Sequence, residues 1–303
     1  MKILIVGGTG ALGGHAAVHL RAQGHEVTVG GRNPAQHGTP MATMPFLKGD
    51  YVAGDFTADR LKGFDWVVFA AGNDPRHVPQ GSDFDAFLVK ANHEAVPAFF
   101  AACREAGVAR AIQLGSFYPQ ASPDLLAGNG YIRSRLAACE GARAQGASGF
   151  DVVSVNAPFM VGTVSGLPSA IFQPYVQWAQ GLIPIENYAP PGGTNFMSFQ
   201  SLSEAIEGAL LHGEPGKAYL VGDENLSFRD YFQLFFDAVG RDVQVEERDA
   251  ELPLLPDVAI PQGRGNWIRY EPDPAEVALL GYRRQDIKAA VQEIVAQFGR
   301  VAA

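Results

Sequence analysis

The residues most clearly suited to chemistry form a glycine-rich turn near the start of the chain. The turn reads Gly7-Gly8-Thr9-Gly10-Ala11-Leu12-Gly13 and lies between a β-branched run at 2–6 and a helical pattern at 13–23. In such a turn the first glycine allows a tight bend, the second lets a pyrophosphate approach the backbone, and the third allows close helix–strand packing. Free amides and the helix dipole also attract phosphate. We therefore predict that Gly7, Thr9, Gly10, Ala11, Leu12 and Gly13 bind a dinucleotide.

A second motif, Gly30-Gly31-Arg32-Asn33, follows the next predicted strand at 26–29. NAD-specific sites usually place an acidic residue here for the ribose 2′-hydroxyl, whereas an arginine accommodates a 2′-phosphate. No acidic residue stands at this strand end, and Arg32 is available for a bidentate phosphate contact. The motif favours NADP(H) over NAD(H); a solvated loop arginine is the alternative interpretation.

The elements that must position these motifs alternate between strands and helices. Short apolar runs predict strands at 2–6, 26–29, 51–53, 65–71, 110–115 and 151–155. Helical patterns are found at 13–23, 86–106 and 131–145. This alternation predicts an α/β fold with a doubly wound, parallel Rossmann sheet.

After Pro158 the sequence becomes richer in glycine, proline and aromatic residues, and its periodicity weakens. Ser201 and Glu204 have capping-box spacing and predict a helix start. Further helices are predicted at 227–239 and 285–298. We expect residues 1–158 to form the NADP(H)-binding domain and 159–303 a smaller, less regular substrate-binding lobe, from which a segment near 196–211 returns to the first domain.

Composition limits the classes of partner and compartment. The formal net charge of −9 disfavours nucleic acid and anionic lipid. The two cysteines, Cys103 and Cys139, form no metal-binding motif, so no metal site is expected. The N-terminal apolar run is too short for a signal peptide, and no run reaches the roughly 18–20 residues of a membrane span. We expect a cytoplasmic protein with reduced thiols.

Taken in order, the motifs resemble those of the extended or atypical short-chain dehydrogenases/reductases, the NAD(P)-dependent epimerase/dehydratase family. The resemblance extends over nearly the whole chain, and GGTGALGG carries its most specific part. It implies that Asp55, in Gly54-Asp55, contacts adenine, and that Ala70-Ala71-Gly72-Asn73 lies along the cofactor. It also implies that Pro158, in Asn156-Ala157-Pro158, belongs to the segment whose backbone holds the nicotinamide amide.

The same resemblance implies a catalytic tyrosine followed four residues later by a lysine. This sequence has Tyr131-Ile132-Arg133-Ser134-Arg135, with arginine in the lysine's place. Residues i and i+4 share a helix face, so Tyr131 and Arg135 can both face the site. Arg135 supplies positive charge that favours tyrosinate, but a guanidinium cannot pass on a proton. Arg135 therefore acts as an electrostatic substitute, or another acid is used, or the protein binds NADP(H) without catalysis.

Three further residues are implied to support catalysis or to contact substrate. Ser116, in Leu114-Gly115-Ser116-Phe117-Tyr118, falls where the family has its catalytic serine or threonine, and is expected to hydrogen-bond the substrate oxygen. Tyr118 is the nearby alternative acid and a substrate contact. Asn92, in Ala91-Asn92-His93-Glu94, resembles the helix asparagine that holds a proton-relay water; a structural buried asparagine is the alternative.

The region expected to bind substrate, between Arg143 and Lys217, lacks cationic side chains. No lysine or arginine occurs between Arg143 and Lys217, although aromatic residues are frequent there. A nucleotide-sugar diphosphate would normally attract cationic side chains. We therefore expect Phe159 and Trp178 to contact a neutral, apolar or aromatic substrate, although these aromatic residues could instead form the core of the second lobe.

The leading functional prediction is an NADP(H)-dependent oxidoreductase of a small neutral carbonyl or alcohol. The alternatives are a nucleotide-sugar epimerase or dehydratase, and a non-catalytic NADP(H)-sensing protein. The expected partner is a small-molecule substrate. The low-charge helices at 86–106 and 131–145 could form a homodimer interface, although packing against the sheet would also explain them.

Overall fold

The computed structural model describes residues 1–72 and 81–299; Asn73 lies outside these residues. Within them the strands are β1 (Lys2–Val6), β2 (Glu26–Gly31), β3 (Phe46–Lys48), β4 (Trp66–Phe69), β5 (Arg110–Ser116), β6 (Asp151–Ala157), β7 (Phe159–Val161), β8 (Tyr188–Ala189), β9 (Gly193–Ser198), β10 (Ala218–Leu220), β11 (Glu224–Ser227), β12 (Glu246–Glu247) and β13 (Trp267–Ile268). The helices are α1 (Ala11–Ala22), α2 (Ala58–Leu61), α3 (Phe84–Leu88), α4 (Ala95–Ala106), α5 (Tyr118–Ala121), α6 (Gly130–Arg143), α7 (Phe172–Ala179), α8 (Phe199–His212), α9 (Phe228–Ala238), α10 (Pro274–Leu280) and α11 (Ile287–Phe298).

A seven-stranded parallel sheet forms the centre of the molecule, in the order β3-β2-β1-β4-β5-β6-β10. The chain winds outward from β1 through β2 to β3 and then returns to β4 on the other side of β1. This reversal opens a crevice at the carboxyl ends of β1 and β4. The predicted Rossmann fold is confirmed.

The third strand is the one predicted strand that is wrong. Residues 51–53 lie in a turn, and β3 comes earlier, pairing Phe46 with Val29. The turn is closed by carboxylates: Asp50 accepts a hydrogen bond from the Val52 amide at 2.9 Å, and Asp55 accepts one from the Asp50 amide at 2.8 Å. Aspartates that bond nearby amides favour turns over strands.

The predicted helix at 86–106 consists of three consecutive segments. Helix α3 is capped by the Asp83 side chain, a wide π-helical turn covers Val89–Glu94, and α4 follows. Pro97 has no N–H to donate to the carbonyl four residues earlier. The regular ladder is therefore interrupted where the π turn meets α4.

Helices cover both faces of the sheet. On one face α1 and α8 contribute to a common core, including Leu20 and Ile206. On the other face α2, α4 and α6 pack over a core that includes Phe69 and Phe100. Strands enclosed on both sides must be apolar at consecutive positions, as β4 is.

Helix α8 begins one turn earlier than its predicted capping box. Ser198 is the N-cap and accepts a hydrogen bond from the Ser201 amide at 2.9 Å. Glu204 instead accepts a hydrogen bond from the Arg283 amide at 2.8 Å, which ties α8 to the later chain. The prediction at Ser201 and Glu204 is therefore wrong, because a serine three residues upstream supplies the cap.

The second half of the chain contributes both to the seven-stranded sheet and to a separate aromatic core. Helix α8 and strand β10 lie on the seven-stranded sheet, whereas α7, α9 and α11 pack around a separate aromatic core. A small sheet of β7, β9, β11 and β13 adjoins that core. The division at residue 158 into a cofactor domain and a substrate lobe stays a prediction.

The contact between α1 and α8 should make stability depend on pH. His15 Nδ1 lies 2.8 Å from Ser203 Oγ, and burial, followed by the nearby His19, lowers the pKa of His15 to about 4. The unfolded chain therefore binds more protons between about pH 6.5 and pH 4. The contribution of His15 to stability is complete above that window and is lost through it, by about 3 kcal/mol at ~1.4 kcal/mol per pKa unit. His15→Gln should flatten this slope in urea unfolding measured across the window.

The exposed His37 provides the matched control, because His37→Gln removes a histidine without changing the helix contact. The control should keep the wild-type slope. An identical slope in wild type and His15→Gln would contradict the assignment.

Candidate functional site

A groove of about 250 Å³ opens at the carboxyl edge of the sheet. It runs across the crevice where the strand order reverses, which is where doubly wound sheets bind ligands. Its lining includes parts of the glycine turn and the segments after β2, β3 and β4: Gly7, Thr9, Gly10, Gly31, Arg32, Gly49, Asp50, Tyr51, Phe56, Ala70, Ala71 and Gly72.

The glycines of the turn are required for different reasons. Gly7 has a φ of +85°, and a Cβ there would lie 2.6 Å from the Ala71 amide nitrogen. A Cβ on Gly13 would overlap the Gly7 carbonyl oxygen. A Cβ on Gly10 would meet no atom closer than that oxygen, at 3.4 Å. The protein's own packing therefore requires Gly7 and Gly13, whereas Gly10 leaves space that a ligand can use.

Helix α1 starts directly at this space. Gly10 is its N-cap, and Ala11 and Leu12 form its first turn, so their amides lack intrahelical partners. Leu12 also packs against the cores, which fixes the helix start. The arrangement suits a pyrophosphate above the amides.

Arg32 lies at the β2 end of the groove with its side chain exposed. Over 1–72 and 81–299 its guanidinium has no hydrogen-bond or ion-pair partner. An arginine that is not held by the protein is available to a ligand phosphate.

The acidic residue at the groove is Asp50 rather than Asp55. Asp55 is exposed outside the lining, where it closes the turn, whereas Asp50 follows β3 directly and lines the groove with Tyr51 and Phe56. The misplaced third strand caused this error. Gly49-Asp50 repeats the dipeptide of Gly54-Asp55, so a correct strand end would have identified it.

Tyr131 and Arg135 lie on the first turns of α6, which the Asn129 side chain caps by accepting from the Ile132 amide. Arg135 crosses to the sheet, and its Nη2 donates to the Leu114 carbonyl at 3.0 Å. Its Nη1 lies 3.1 Å from the position of a Cβ on Gly72, a residue of the groove lining. Arg135 thus reaches the end of the groove, and Tyr131 lies one helical turn earlier on α6.

Asn92 is fixed to the same helix. It is buried in the π-helical turn, and its Nδ2 donates to Ser134 Oγ at 3.0 Å. Ser134 in turn donates to the Tyr131 carbonyl at 2.8 Å. The structure therefore joins Asn92 to the backbone of Tyr131 through one side chain.

Ser116 ends β5, and Tyr118 follows in α5, near Tyr131. Ser116 pairs in register with Ala157, just before the buried Pro158. Burial raises the pKa of Tyr118, the nearby Tyr131 phenol raises it further, and the Thr194 hydroxyl partly opposes them. Tyr118 is therefore a neutral hydrogen-bond donor near Tyr131. Nothing in the local sequence marks Thr194, because the packing of β9 brings it to the site.

The two predicted aromatic substrate contacts have different positions. Phe159 is partly exposed at the start of β7, with its ring 5.1 Å from that of Phe196. Trp178 is fully buried, its ring packs against Phe236 at 4.8 Å, and its indole N–H donates to the Ile185 carbonyl. The placement of Trp178 at the substrate site is wrong, because it is a core residue of the aromatic cluster.

Within the described ranges, 1–72 and 81–299, no group of three or more histidine, cysteine, aspartate or glutamate side chains could hold a metal ion. No helix in the same ranges is long and apolar enough to cross a membrane.

A parallel sheet with a glycine turn, a phosphate-ready helix start and a tyrosine–arginine pair defines a dinucleotide-dependent enzyme of the short-chain dehydrogenase/reductase type. The model of the NAD dependent epimerase/dehydratase family matches residues 3–179, more than half of the chain. The chain belongs to this family. Its groove, with the open space over Gly10, fits an NAD(P) cofactor.

Solved structures of similar fold cover nearly the whole chain. UDP-N-acetylglucosamine 4-epimerase from Bacillus cereus is 16% identical, with a TM-score of 0.74 and coverage of 100% of this chain and 98% of that one. UDP-glucose-4-epimerase from Stenotrophomonas maltophila, with bound NAD and formylated UDP-arabinopyranose, is 19% identical, with a TM-score of 0.74 and coverage of 99% and 98%. The Bordetella bronchiseptica enzyme WbmG, in complex with NAD, is 18% identical, with a TM-score of 0.72 and coverage of 99% and 94%. A search of curated protein sequences finds no match.

Two alanine substitutions should separate ligand contact from protein packing. Gly10→Ala should lower NAD(P) affinity about tenfold or more while changing the free energy of unfolding by less than about 1 kcal/mol, because its methyl enters only the ligand's space. Gly13→Ala should cost about 1–3 kcal/mol of stability through overpacking. Cofactor titration and urea unfolding of both variants measure this difference. Equal affinity of wild type and Gly10→Ala would contradict the assigned phosphate site.

Proposed function

We propose that the protein is an NAD(P)-dependent epimerase or dehydratase that acts on a nucleotide-linked sugar. The carrying observation is that Arg135, one helical turn after Tyr131 on α6, reaches Gly72 at the end of the groove that begins over Gly10. Family membership supports this reaction class. UDP-sugar epimerases of the same fold support the substrate class ahead of the small neutral carbonyl expected from charge distribution.

In the proposed mechanism, the side chains at the carboxyl edge of the sheet have separate roles in proton transfer and hydrogen bonding. NAD(P), when bound, accepts or returns a hydride at a hydroxyl-bearing carbon. Tyr131 takes the hydroxyl proton and gives it back. Ser116 and Tyr118 donate hydrogen bonds to the same oxygen, and Tyr118 suits this role because its raised pKa keeps it protonated. Arg135, one helical turn after Tyr131, carries a permanent positive charge at the end of the groove.

Asn92 is proposed to position Tyr131 and not to contact the substrate. Its hydrogen bond to Ser134, which itself bonds the Tyr131 carbonyl, holds the first turn of α6 against the π-helical turn. A catalytic tyrosine needs such support, because small displacements weaken proton transfer strongly.

We further propose that the cofactor is NADP(H) rather than NAD(H). The support is Arg32, exposed at the groove end after β2 without a protein partner within the two described ranges. The strand end itself carries no acid to bind a ribose 2′-hydroxyl. Asp50 lies across the groove, after β3.

A second candidate is reduction of a small neutral carbonyl compound. It is favoured by the charge of the second half, where residues 144–216 contain no lysine or arginine. Arg264, which lies later in the second half, forms ion pairs with Asp257, at 2.7 Å, and Asp249, at 2.9 Å, and these neutralise its charge. Residues 144–216 therefore offer no cationic side chain to a diphosphate.

Tyr131→Phe tests the proposed chemistry. It should lower kcat on a UDP- or GDP-linked sugar by about 100- to 10,000-fold, because the proton-transfer group is lost. NAD(P)H affinity should remain unchanged, and the matched control Tyr188→Phe should keep wild-type activity, since that hydroxyl bonds the Glu251 carbonyl in the second half. Turnover on neutral carbonyls alone would favour the second candidate. Full activity of Tyr131→Phe would refute its catalytic role.

Arg32→Ala tests cofactor preference. It should weaken NADP(H) binding about 10- to 100-fold, the equivalent of one charged hydrogen bond of ~1.5–3 kcal/mol, and leave NAD(H) binding nearly unchanged. Fluorescence titration with both reduced cofactors measures the ratio. Arg21→Ala removes the same charge from an exposed site at the far end of α1, where Arg21 bonds Thr43, and should change neither affinity. Tighter NAD(H) than NADP(H) binding by the wild-type protein would contradict the preference.

A further inference from the structure

The chain forms two packed bodies and crosses between them five times within residues 1–72 and 81–299. The sheet body consists of the seven-stranded sheet and the helices on its faces, together with α10, which packs on α8. The aromatic body consists of α7, α9 and α11 around their separate core, with the adjoining small sheet. The crossings are β6 to β7 (157–159), β9 to α8 (198–199), β10 to β11 (220–224), β13 to α10 (268–274) and α10 to α11 (280–287).

Two buried or partly buried carboxylates join three of these crossings. Asp223, between β10 and β11, accepts hydrogen bonds from the amides of Gln285, at 2.6 Å, and Asp286, at 3.3 Å. Asp286 in turn accepts from the hydroxyls of Ser198, at 2.8 Å, and Ser201, at 3.2 Å, at the start of α8. Hydrogen bonds to a carboxylate are stronger than those between neutral groups. The start of α11 is therefore held to both neighbouring crossings.

Two asparagine side chains add the crossing between β13 and α10. Asn225 Oδ1 accepts from the Tyr270 amide at 3.0 Å, and Asn225 Nδ2 donates to the Tyr270 carbonyl at 2.9 Å. Asn195 Nδ2 donates to the same carbonyl at 3.1 Å, and Asn195 Oδ1 accepts from the Asp223 amide at 2.9 Å. Four of the five crossings in the described chain are thus bonded to one another at one place. The junction is the name used below for Asn195, Ser198, Asp223, Asn225, Tyr270 and Asp286.

Gln285 lies within the junction in an unusual backbone conformation. Its φ of +64° is the one positive φ of a residue other than glycine in the two described ranges. A left-handed conformation is unfavourable for a residue with a Cβ, so surrounding contacts must hold it. The hydrogen bond from its amide to Asp223 supplies such a contact. Residues at the ends of elements that absorb a sharp change of direction are typical of hinges.

Helix α11 extends from the junction to a loop on the cofactor side of the molecule. At its far end Gln297 Nε2 donates to the carbonyls of Val164, at 3.1 Å, and Leu167, at 3.0 Å. The path from Asp286 to Gln297 is about 16 Å, at the helical rise of ~1.5 Å per residue. A rotation of about 10° at the junction would therefore move loop 162–168 by about 3 Å, taking that helix length as the arm.

Loop 162–168 meets loop 33–39, which follows Arg32, where two glycines approach each other. A Cβ on Gly166 would lie 2.5 Å from the Gly38 carbonyl oxygen, so the two backbones are in contact. Leu167 and Ala35 also pack against the same core cluster. No hydrogen bond joins these two loops within the described chain. The loop contact is therefore weaker than the junction at the other end of α11.

We propose that the junction is a hinge about which the aromatic body rotates, with α11 as its arm, and that the contact between Gly38 and Gly166 separates when the hinge opens. In the closed form loop 162–168 supports the loop that follows Arg32, and in the open form that support is lost. A dinucleotide bound along the groove at Arg32 then favours the closed form. The hinge goes beyond the proposed function, because it requires a bound NAD(P) and no particular substrate.

Pulsed electron–electron resonance between two spin labels measures the rotation. Gln23→Cys places one label at the exposed end of α1 in the sheet body, and Gln173→Cys places the other on α7 in the aromatic body. The native cysteines are buried and should not be labelled. Without cofactor we expect two populations of distances, of which saturating NADPH or NADH, whichever binds more tightly, removes one. The control pair Gln23→Cys and Glu105→Cys lies within the sheet body and should give one distance throughout.

Two substitutions in the junction should increase the open population. Asp223→Asn replaces one acceptor oxygen by an NH₂ group that cannot accept from an amide. It should weaken cofactor binding about three- to tenfold, because part of the binding free energy is then used to close the hinge. Gln285→Gly removes the cost of the positive φ and frees the backbone there, so it should broaden the distance distribution without lowering Tm. Asp242→Asn, at an exposed position of the aromatic body, is the matched control and should change neither distances nor affinity.

Each outcome of the distance measurement decides for or against the hinge. One distance that is independent of cofactor in the wild-type protein would overturn it. A cofactor-dependent distance that neither Asp223→Asn nor Gln285→Gly alters would overturn the junction as the place of rotation. If Asp223→Asn fails to fold, Gln285→Gly still decides, since an unchanged distribution there contradicts the hinge. Absence of turnover on every nucleotide sugar would contradict the proposed function and leave these distances unaffected.

Discussion

The close approach of α1 to the edge of the sheet is the constraint on which the rest of the molecule depends. Gly7 bends the chain after β1, and Gly13 lets the helix pass against the Gly7 carbonyl. Only this approach brings the first-turn amides over the crevice between β1 and β4. This close approach fixes the groove, the position of Arg32 at its β2 end, and the course of the groove toward Arg135 of α6.

The second constraint is the position of Arg135, which has no ion-pair partner within residues 1–72 and 81–299. Arg135 reaches from α6 to the end of β5 and lies beside Gly72, so it connects the cofactor groove with the proposed acid–base tyrosine. The buried amide of Gln113 donates to the same Leu114 carbonyl that accepts from Arg135.

The second half of the chain shows why composition alone was a weak guide to the substrate. Its aromatic residues largely pack on one another: Trp178 contacts Phe236, and Tyr231 stacks on Phe196 at 4.4 Å. Their number reflects a separate core rather than an apolar pocket. Phe159, at the margin of that core, keeps an exposed edge.

Local sequence by itself determined the Rossmann sheet, the glycine turn and the tyrosine–arginine pair, because each depends on spacing within one strand–turn–helix unit or one helix turn. It failed at β3, where two Gly-Asp pairs compete and only pairing with β2 selects the earlier strand. Tertiary structure alone decided that Thr194 lies near Tyr118, and that Gln113 and Arg135 share the Leu114 carbonyl. These contacts join elements distant in sequence, so packing between elements creates them and no local pattern records them.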